Sequence, residues 1–329
     1  MSWDIETKLP VPCYGSTGIQ YKKKIYIFGG ISRKGIHKRA WNYDLETKIW
    51  CEMKNLPNIR NYMSCHEWNG NLYLLGGWGI DVEIMSVRTP QILKYSIEDN
   101  KWYNESELPY PLTNIATCIY KDSLYVFGGM TKKFEFTRYI AVDSAFRYDL
   151  NERRWYDLPN LPYAKKDFSA EVINNEIYIF GGCSHDQVFN DIWKFSNNEW
   201  TLEGLLPINV CSYSLVKINN SLYLLGGITD NFNVTKSIWR IETDNFYYNN
   251  WINVGTIPIS LSYFTCSYNN DYIYVIGGFS SNYRTRKDIY RYCIFPWAME
   301  RQIWIGNKGN NILSKLPIDI VNIIIKMIK

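Results

Sequence analysis

The sequence has few of the residues on which enzymes and metal centres depend. Its three histidines, His37, His66 and His185, do not lie at metal-ligand spacing from a second histidine or a cysteine. Its eight cysteines include no CxxC pair, which favours free thiols in a reducing compartment. The phosphate-binding loop, the nucleophile elbow and the HExxH zinc motif are all missing. We therefore expect no catalytic residue, no metal and no cofactor.

Charge and hydropathy argue against two further kinds of partner. The net charge is only +4, and no block of basic residues carries interleaved aromatics, so nucleic-acid binding is not expected. No apolar run reaches the roughly 18 residues that span a membrane. The opening residues do not resemble a signal peptide. We expect a cytoplasmic protein, with the nucleus as the alternative compartment, that does not bind a membrane.

Aromatic residues, by contrast, are abundant and recur in a fixed frame. A tryptophan is followed seven residues later by proline and twenty-seven residues later by the second glycine of a pair. The six copies are Trp3–Pro10–Gly30, Trp50–Pro57–Gly77, Trp102–Pro109–Gly129, Trp155–Pro162–Gly182, Trp200–Pro207–Gly227 and Trp251–Pro258–Gly278. No residue is inserted or lost within a frame. A period near fifty residues predicts a ring or stack of similar units.

Each copy is predicted to form four short antiparallel strands. An apolar run rich in β-branched and aromatic residues, such as residues 25–28, precedes each glycine pair. Polar turns such as Asn69-Gly70 join this strand to the one before it. A third strand alternates, as in Trp41 and Tyr43, and a fourth carries the frame tryptophan. Four such strands cannot bury both faces alone, which is typical of a propeller blade.

The repeat resembles the kelch repeat. The shared elements are Tyr-x-x-Gly-Gly, the Tyr-Asp-x5-Trp element that links Tyr43-Asp44 to Trp50, and the Leu-Pro that follows. Phe195 and Ile241 depart from the pattern, since they replace the third-strand tyrosine. The resemblance implies an all-β, six-bladed kelch propeller over residues 1–293 that binds other proteins. A few kelch propellers are oxidases or sugar mutarotases, so an enzyme with a dispersed pocket stays a lesser alternative.

The ring has two candidate closing strands. The first tryptophan–proline copy has no glycine pair before it, and the last glycine pair is followed by no clean tryptophan–proline copy. We therefore predict that the strand near Trp3 completes the last blade and removes an exposed edge. Trp297 is the competing residue, although no proline follows it at the same spacing.

The variable loops after the glycine pairs and the connections between blades are predicted to form a binding face. Loops on a rigid scaffold commonly carry recognition. The candidate residues are Arg33, Arg60, Tyr62, Asn114, Lys166, His185, Ser212, Tyr263 and Arg284. Arginine and tyrosine are frequent anchors, and arginine clamps carboxylates with paired hydrogen bonds. We expect this face to bind an acidic or polar peptide segment of another protein; the alternative is ordinary solvated loop charge.

The repeat pattern stops near residue 293. Residues 294–312 are predicted to be a polar linker, and residues 313–329 a short α-helical tail. Pro317 suits the first turn of a helix, and Asp319 lies near the positive end of the helix dipole. Ile320, Ile324 and Ile328 form an apolar stripe that is too short to span a membrane and must be buried in protein.

The tail resembles the opening of an F-box. The matching residues are Leu316, Pro317, Asp319, Ile320, Val321, Ile324, Ile325 and Ile328. The resemblance implies binding to Skp1, the adaptor of cullin-1 ubiquitin ligases, through Leu316, Pro317, Asp319, Ile320, Ile324, Ile325 and Ile328. The alternative is a helix docked on the base of the propeller.

Kelch repeats followed by such a tail resemble poxvirus proteins. We therefore expect a viral substrate adaptor in the host-cell cytoplasm, which binds a target with its propeller and a host ligase with its tail. The alternative function is a kelch interaction scaffold that binds cytoskeletal or other host proteins and has no link to a ligase.

Overall fold

The regular structure of the described part of this chain is all β. The computed structural model describes residues 3–79, 90–132, 139–243, 250–269 and 271–294. Within these ranges the chain forms thirty strands, β1 to β30. The predicted linker and tail helix, and the competing Trp297, lie outside the described residues.

Among the residues just given, six four-stranded antiparallel sheets form six blades, which confirms the predicted number. Each blade is given from its innermost strand outward. Blade 1 consists of β2 (Thr17–Tyr21), β3 (Lys24–Phe28), β6 (Ala40–Asp44) and β7 (Trp50–Glu52); blade 2 of β8 (Ser64–Trp68), β9 (Asn71–Leu75), β10 (Gln91–Ser96) and β11 (Lys101–Glu107); and blade 3 of β12 (Ala116–Tyr120), β13 (Ser123–Phe127), β16 (Ala145–Asp149) and β17 (Arg154–Leu158). Blade 4 consists of β18 (Ser169–Ile173), β19 (Glu176–Cys183), β20 (Val188–Ser196) and β21 (Glu199–Leu205); blade 5 of β22 (Ser214–Ile218), β23 (Ser221–Leu225), β24 (Ser237–Glu242) and β25 (Ile252–Thr256); and blade 6 of β27 (Thr265–Tyr268), β28 (Tyr272–Ile276), β30 (Asp288–Cys293) and β1 (Trp3–Lys8). Three two-stranded ribbons join β4 (Ile31–Ser32) to β5 (Gly35–Ile36), β14 (Met130–Lys132) to β15 (Tyr139–Ala141), and β26 (Leu261–Ser262) to β29 (Phe279–Ser280).

The N-terminal strand closes the ring, as predicted. Strand β1 pairs with β30, and Trp3 lies opposite Tyr292 with their ring centroids 4.9 Å apart. The indole Nε1 of Trp3 donates a hydrogen bond to the carbonyl oxygen of Thr256 in blade 5, at 2.8 Å. The innermost strands of blades 6 and 1 also contact each other. The sixth blade therefore unites the two ends of the repeat region.

An aromatic pair stabilises the outer half of most blades. In blade 1, Trp50 lies opposite Tyr43 with the ring centroids 5.0 Å apart. In blade 4, Phe195 takes the place of the tyrosine and keeps a 4.9 Å contact with Trp200. In blade 5, Ile241 belongs to a buried cluster against which Trp251 packs, and within the described residues the buried Nε1 of Trp251 has no hydrogen-bond partner. Blade 5 therefore has a contact between an aliphatic and an aromatic side chain where blades 1 and 4 have an aromatic pair.

The glycine pair forms the seam between one blade and the next. In blade 1, Gly29 has a φ of +56°, and a Cβ on it would lie 2.2 Å from the carbonyl oxygen of Arg60. The backbone N–H of Gly30 donates a hydrogen bond to that same oxygen at 2.9 Å. The equivalent bonds join Gly77 to Leu112, Gly129 to Lys165, Gly182 to Val210, Gly227 to Leu261 and Gly278 to Cys13, at 2.8–3.0 Å. The first glycine therefore lets the next blade approach, and the second holds it there.

We predict that Gly29→Ala destabilises the protein more than Gly35→Ala. Both residues have positive φ values, but a Cβ on Gly35 meets nothing within 4 Å. The left-handed backbone alone costs Gly35→Ala about 1–2 kcal/mol of unfolding free energy. The clash with the Arg60 carbonyl adds about 1–3 kcal/mol more in Gly29→Ala. Urea unfolding of both variants measures the difference, and equal losses would contradict the proposed role of the seam.

Candidate functional site

Six residues with left-handed backbone surround one end of the central channel. They lie twelve residues after each frame tryptophan, and their φ values are +51° to +61°. These ring residues are Gly15, Tyr62, Asn114, Asp167, Ser212 and Tyr263. Only one of the six is glycine, so five side chains occupy a backbone conformation that side chains disfavour.

The ring residues are joined by backbone hydrogen bonds that form a closed circle. The N–H of Tyr62 donates to the carbonyl of Gly15 at 2.7 Å, and the N–H of Gly15 donates to the carbonyl of Tyr263 at 2.8 Å. The other four bonds run from Asn114 to Tyr62, Asp167 to Asn114, Ser212 to Asp167 and Tyr263 to Ser212, at 2.9–3.4 Å. The ring lines a cavity of about 130 Å³, which we call the channel mouth. Its shape is fixed by the main chain.

The variable loops lie at the same end of the propeller as the channel mouth. The residue after each glycine pair forms a bridge with the residue before a ring residue, as between Ile31 and Tyr14 and between Cys183 and Lys166. The loops that follow the glycine pairs and the connections between blades are therefore brought together, as predicted. We call this surface the loop face.

Eight of the nine predicted face residues lie on or beside the loop face. Tyr62, Asn114, Ser212 and Tyr263 are ring residues, and Lys166 precedes the ring residue Asp167. Arg33, His185 and Arg284 are exposed on the loops of blades 1, 4 and 6.

Arg60 is placed differently from the expectation. Its side chain is fully buried, and burial lowers the pKa of its guanidinium to about 9. Its Nε donates to Asn58 Oδ1 at 2.8 Å, and its Nη atoms donate to the carbonyl and the side-chain oxygen of Gln91 at 2.8 and 3.0 Å. The side chain is buried because Arg60 lies two residues before the ring residue Tyr62, at the position whose backbone carbonyl forms the seam. Arg60 therefore does not belong to the loop face.

Aromatic side chains cover one half of the channel mouth. Tyr62 and Tyr263 have their ring centroids 5.2 Å apart, and Tyr14 lies 6.4 Å from each. Phe279 contacts Tyr14 at 4.9 Å and extends the cluster toward Tyr283, which is 85% exposed. Tyrosines of this kind supply large, rigid contact area to a partner.

Asp167 lies in the other half of the channel mouth and carries its negative charge. The sequence analysis did not select this residue. Its Oδ1 accepts a hydrogen bond from Asn114 Nδ2 at 2.6 Å, and its Oδ2 lies 3.2 Å from Lys166 Nζ. Its negative charge is the main reason that the pKa of Tyr263 is raised. The twelve-residue offset from Trp155 would have identified Asp167, because the other ring residues share it.

Charge is divided unequally around the loop face. The loops of blades 6 and 1 carry exposed basic residues and no acidic ones between residues 31 and 39 or between residues 279 and 287. We call this surface the basic crescent, which consists of Arg33, Lys34, Lys38, Arg39, Arg284 and Lys287. The loops of blades 4 and 5, which precede blade 6 in the ring, expose Asp186 and Asp230. An incoming charged segment therefore meets opposite potentials on the two sides.

A second cavity of about 710 Å³ opens at the far end of the channel, lined in part by Gln20, His66 and Glu67. His66 Nε2 shares a 2.6 Å hydrogen bond with the Thr117 hydroxyl. Burial lowers the pKa of His66 to about 4, so its ring is neutral at physiological pH.

Among the residues that the structure describes, no three His, Cys, Asp or Glu side chains are grouped so that they could hold a metal ion. None of the helices searched in the described part is long and apolar enough to cross a membrane.

Comparisons with known proteins agree with this geometry. The sequence profile of the KLHDC2/KLHL20/DRC7 Kelch-repeats domain matches residues 1–160 and 62–209, which together are more than half of the chain. Kelch repeat protein M-T8 of Myxoma virus (strain Lausanne) is 28% identical over 64% of this chain and 39% of its own length. Kelch-like protein 25 of Xenopus tropicalis is 26% identical over 72% of this chain and 40% of its own length.

A vaccinia virus relative and a solved structure extend these matches. Kelch repeat protein C2 of Vaccinia virus (strain Western Reserve) is 24% identical over 57% of this chain and 35% of its own length. The chain therefore spans two fifths or less of these curated relatives. The structure titled "Structure of YjhT" aligns with a TM-score of 0.72 over 86% of this chain and 95% of that one. At 18% identity it supports the fold alone.

We predict that His66 makes the stability of the wild-type protein fall in acid. Its folded pKa of about 4 lies below the unfolded value of 6.5, so its stabilising effect is complete above pH 6.5 and is lost as the pH falls through 4. Between pH 7 and 4.5 the wild type should lose about 2–3 kcal/mol more unfolding free energy than His66→Gln. Urea unfolding at both pH values measures this. His185→Gln, which alters an exposed imidazole, should match the wild type; equal acid sensitivity of His66→Gln and the wild type would contradict the prediction.

Proposed function

The chain belongs to the kelch-repeat family of β-propellers, and on that premise we propose that it is a protein-interaction adaptor whose loop face binds an acidic segment of a target protein. The observation that supports this most directly is the basic crescent beside the aromatic cluster. Arg33 and Arg284 present guanidinium groups to solvent, and the exposed Tyr283 in the loop of blade 6 contacts Phe279 of the cluster, with the ring centroids 6.1 Å apart. Arginine binds carboxylates with two parallel hydrogen bonds, and tyrosine adds buried area at small entropic cost.

The rigid channel mouth favours binding without large rearrangement. Because the ring is closed by backbone hydrogen bonds, the tyrosines of the mouth are held in place before a partner arrives. A partner then loses its own freedom, but the receptor loses little, and this preorganisation increases affinity. The geometry suits a short extended segment that crosses the mouth.

The acidic side of the loop face determines where the partner's negative charge can lie. Asp186 is 91% exposed at its side chain, and Asp230 is also exposed on the neighbouring blade. Like charges placed next to these carboxylates are unfavourable. We infer that the acidic part of the segment lies over blades 6 and 1, and that a neutral or basic part lies over blades 4 and 5.

We further propose that residues 313–329 recruit Skp1 of a cullin-1 ubiquitin ligase. The support is the sequence pattern of Leu316, Pro317, Asp319 and the isoleucines from Ile320 to Ile328, which resembles the start of an F-box. With a target on the loop face and a ligase on the tail, the protein would act by proximity, since it raises the local concentration of the target at another enzyme's active site. Such a protein would work in the cytoplasm of a host cell.

We predict that reversing the charge of the basic crescent changes which peptides the protein selects. In the triple variant Arg33→Glu, Lys34→Glu and Arg284→Glu, the attraction for carboxylates becomes repulsion. Selection from a random twelve-residue phage-display library should give peptides of net negative charge with the wild type and of neutral or positive charge with the variant. Affinity for a wild-type-selected peptide should fall at least about tenfold, measured by fluorescence anisotropy.

The matched control reverses the same amount of charge at the opposite end of the propeller. The control variant carries Lys22→Glu, Lys23→Glu and Lys101→Glu. These lysines lie at turns and strand starts away from the loop face. This control should select the same acidic peptides as the wild type. An unchanged preference for acidic peptides in the crescent variant, or its loss in the control, would contradict the proposed site.

We predict that the tail governs ligase binding independently of the loop face. Ile320→Asp together with Ile324→Asp should weaken binding to purified Skp1 by at least about tenfold, because charge replaces two apolar anchors. Lys326→Ala is the control and should bind Skp1 like the wild type. All three proteins should bind the selected acidic peptide equally, and biolayer interferometry measures both interactions. Undiminished Skp1 binding after deletion of residues 313–329, or no binding by the wild type, would leave a kelch scaffold without a link to this ligase.

A further inference from the structure

Two positions approach each other across every seam of the ring. The N–H of Gly182 in blade 4 donates to the carbonyl of Val210 at 3.0 Å, so the residues that follow these two are neighbours. At the seam between blades 6 and 1 the corresponding residues are Phe279 and Tyr14, and their rings are in contact at 4.9 Å. At the seam between blades 4 and 5 the same two positions carry Cys183 and Cys211. This seam therefore pairs one thiol with another.

The two thiols are close enough to influence each other. Each of Cys183 and Cys211 shifts the pKa of the other, and neither cysteine is in a disulfide. The Sγ of Cys183 is also 4.0 Å from Asp167 Oδ2, and the Ser212 hydroxyl lies 3.8 Å from the Sγ of Cys211. The pair thus lies immediately behind two ring residues of the channel mouth.

Solvent reaches this pair through a cavity. Cys183 and Cys211 are only 8% and 5% exposed, which restricts access to small molecules. Both nevertheless line an open cavity of about 410 Å³ on the loop face, together with Lys166 and His185. A molecule the size of hydrogen peroxide can enter such a space.

We propose that Cys183 and Cys211 are a redox-active pair that is converted by hydrogen peroxide into a disulfide across the seam between blades 4 and 5. The modification site lies on the loop face but does not depend on the function proposed for that face. It assigns a reaction to two cysteines whose buried positions alone would suggest a packing role.

The reaction balances with peroxide as the only co-reactant. The Cys211 thiolate attacks one peroxide oxygen, the O–O bond breaks, and the departing hydroxide takes up the thiol proton to leave as water. This gives a sulfenic acid on Cys211. The Cys183 sulfur then attacks the Cys211 sulfur, the S–O bond breaks, and a second water leaves as the S–S bond forms. Two thiols are oxidised by two electrons, and one peroxide is reduced to two waters.

The roles of the two cysteines follow from their surroundings. The Ser212 hydroxyl donates to the Sγ of Cys211, which favours the thiolate there, whereas the Asp167 carboxylate beside the Sγ of Cys183 disfavours a second negative charge. The pKa of Cys211 is accordingly lowered and that of Cys183 is raised. The thiolate is the nucleophile, so Cys211 is the attacking residue and Cys183 is the resolving residue.

The experiment treats the full-length chain with a small molar excess of hydrogen peroxide, blocks the remaining thiols with N-ethylmaleimide and maps non-reduced peptides by mass spectrometry. Every protein carries Cys51→Ser, because Cys51 is exposed and would form links between molecules. We expect a Cys183–Cys211 peptide that disappears on reduction. In Cys183→Ser, the sulfenic acid cannot be resolved and should be trapped on Cys211 by dimedone. After oxidation, the Cys51→Ser protein with Cys183 and Cys211 intact should also unfold a few degrees higher, since the link closes a loop of about thirty residues.

Cys266→Ser provides the matched control. Cys266 lines the cavity at the far end of the channel, but burial raises its pKa to about 12. This variant should form the Cys183–Cys211 link at the wild-type rate. Full alkylation of both cysteines after peroxide treatment, a link from either one to a different cysteine, or preferential dimedone labelling of Cys183 in Cys211→Ser would each overturn the proposal.

Discussion

The hydrogen bond from the second glycine of each pair to a carbonyl in the next blade is the interaction on which the whole ring depends. It requires a glycine before it, because any Cβ there would lie within 3 Å of that carbonyl, as at Gly29 and Gly277. The carbonyl always belongs to the residue two positions before a ring residue. A short apolar strand, a turn of fixed length and a buried leucine or isoleucine before each proline bring it there. The fixed spacing of the repeat is therefore the spacing of this contact.

The seam also explains why a charged residue in a loop need not be a binding residue. Arg60 and Lys165 occupy a position that is filled elsewhere by Cys13, Leu112 or Val210, and all of these are buried. Lys165 is paired with Asp191 at 2.9 Å, although burial still lowers its pKa. Buried cations persist only when their donors are satisfied. Both residues satisfy their hydrogen bonds within their own blade, so neither is available to a partner.

Spacing alone predicted the number of blades, the order of the strands and the closing strand, because these follow from short-range pattern and the need to pair an open edge. The face was predicted less completely. The sequence analysis selected Tyr62, Asn114, Ser212 and Tyr263 because they lie in connections between blades. The left-handed backbone conformation that they share could not be predicted, since tyrosine rarely adopts it. Asp167 was overshadowed by the adjacent Lys166. The unequal charge of the loops could be recognised only in the structure, where β1 completes blade 6 and blades 6 and 1 are neighbours.

The closed circle of backbone hydrogen bonds separates the architecture of the mouth from its chemistry. Gly15, Tyr62 and Asp167 share one backbone conformation and one set of main-chain partners, although their side chains have nothing in common. Because the main chain supplies the closure, the side chains at the mouth contribute little to it and are free to differ from blade to blade. An aromatic cluster on one side and an ion pair on the other are therefore compatible with the same ring. Such freedom is what a propeller needs if one scaffold is to present an asymmetric surface to a partner that is not symmetric.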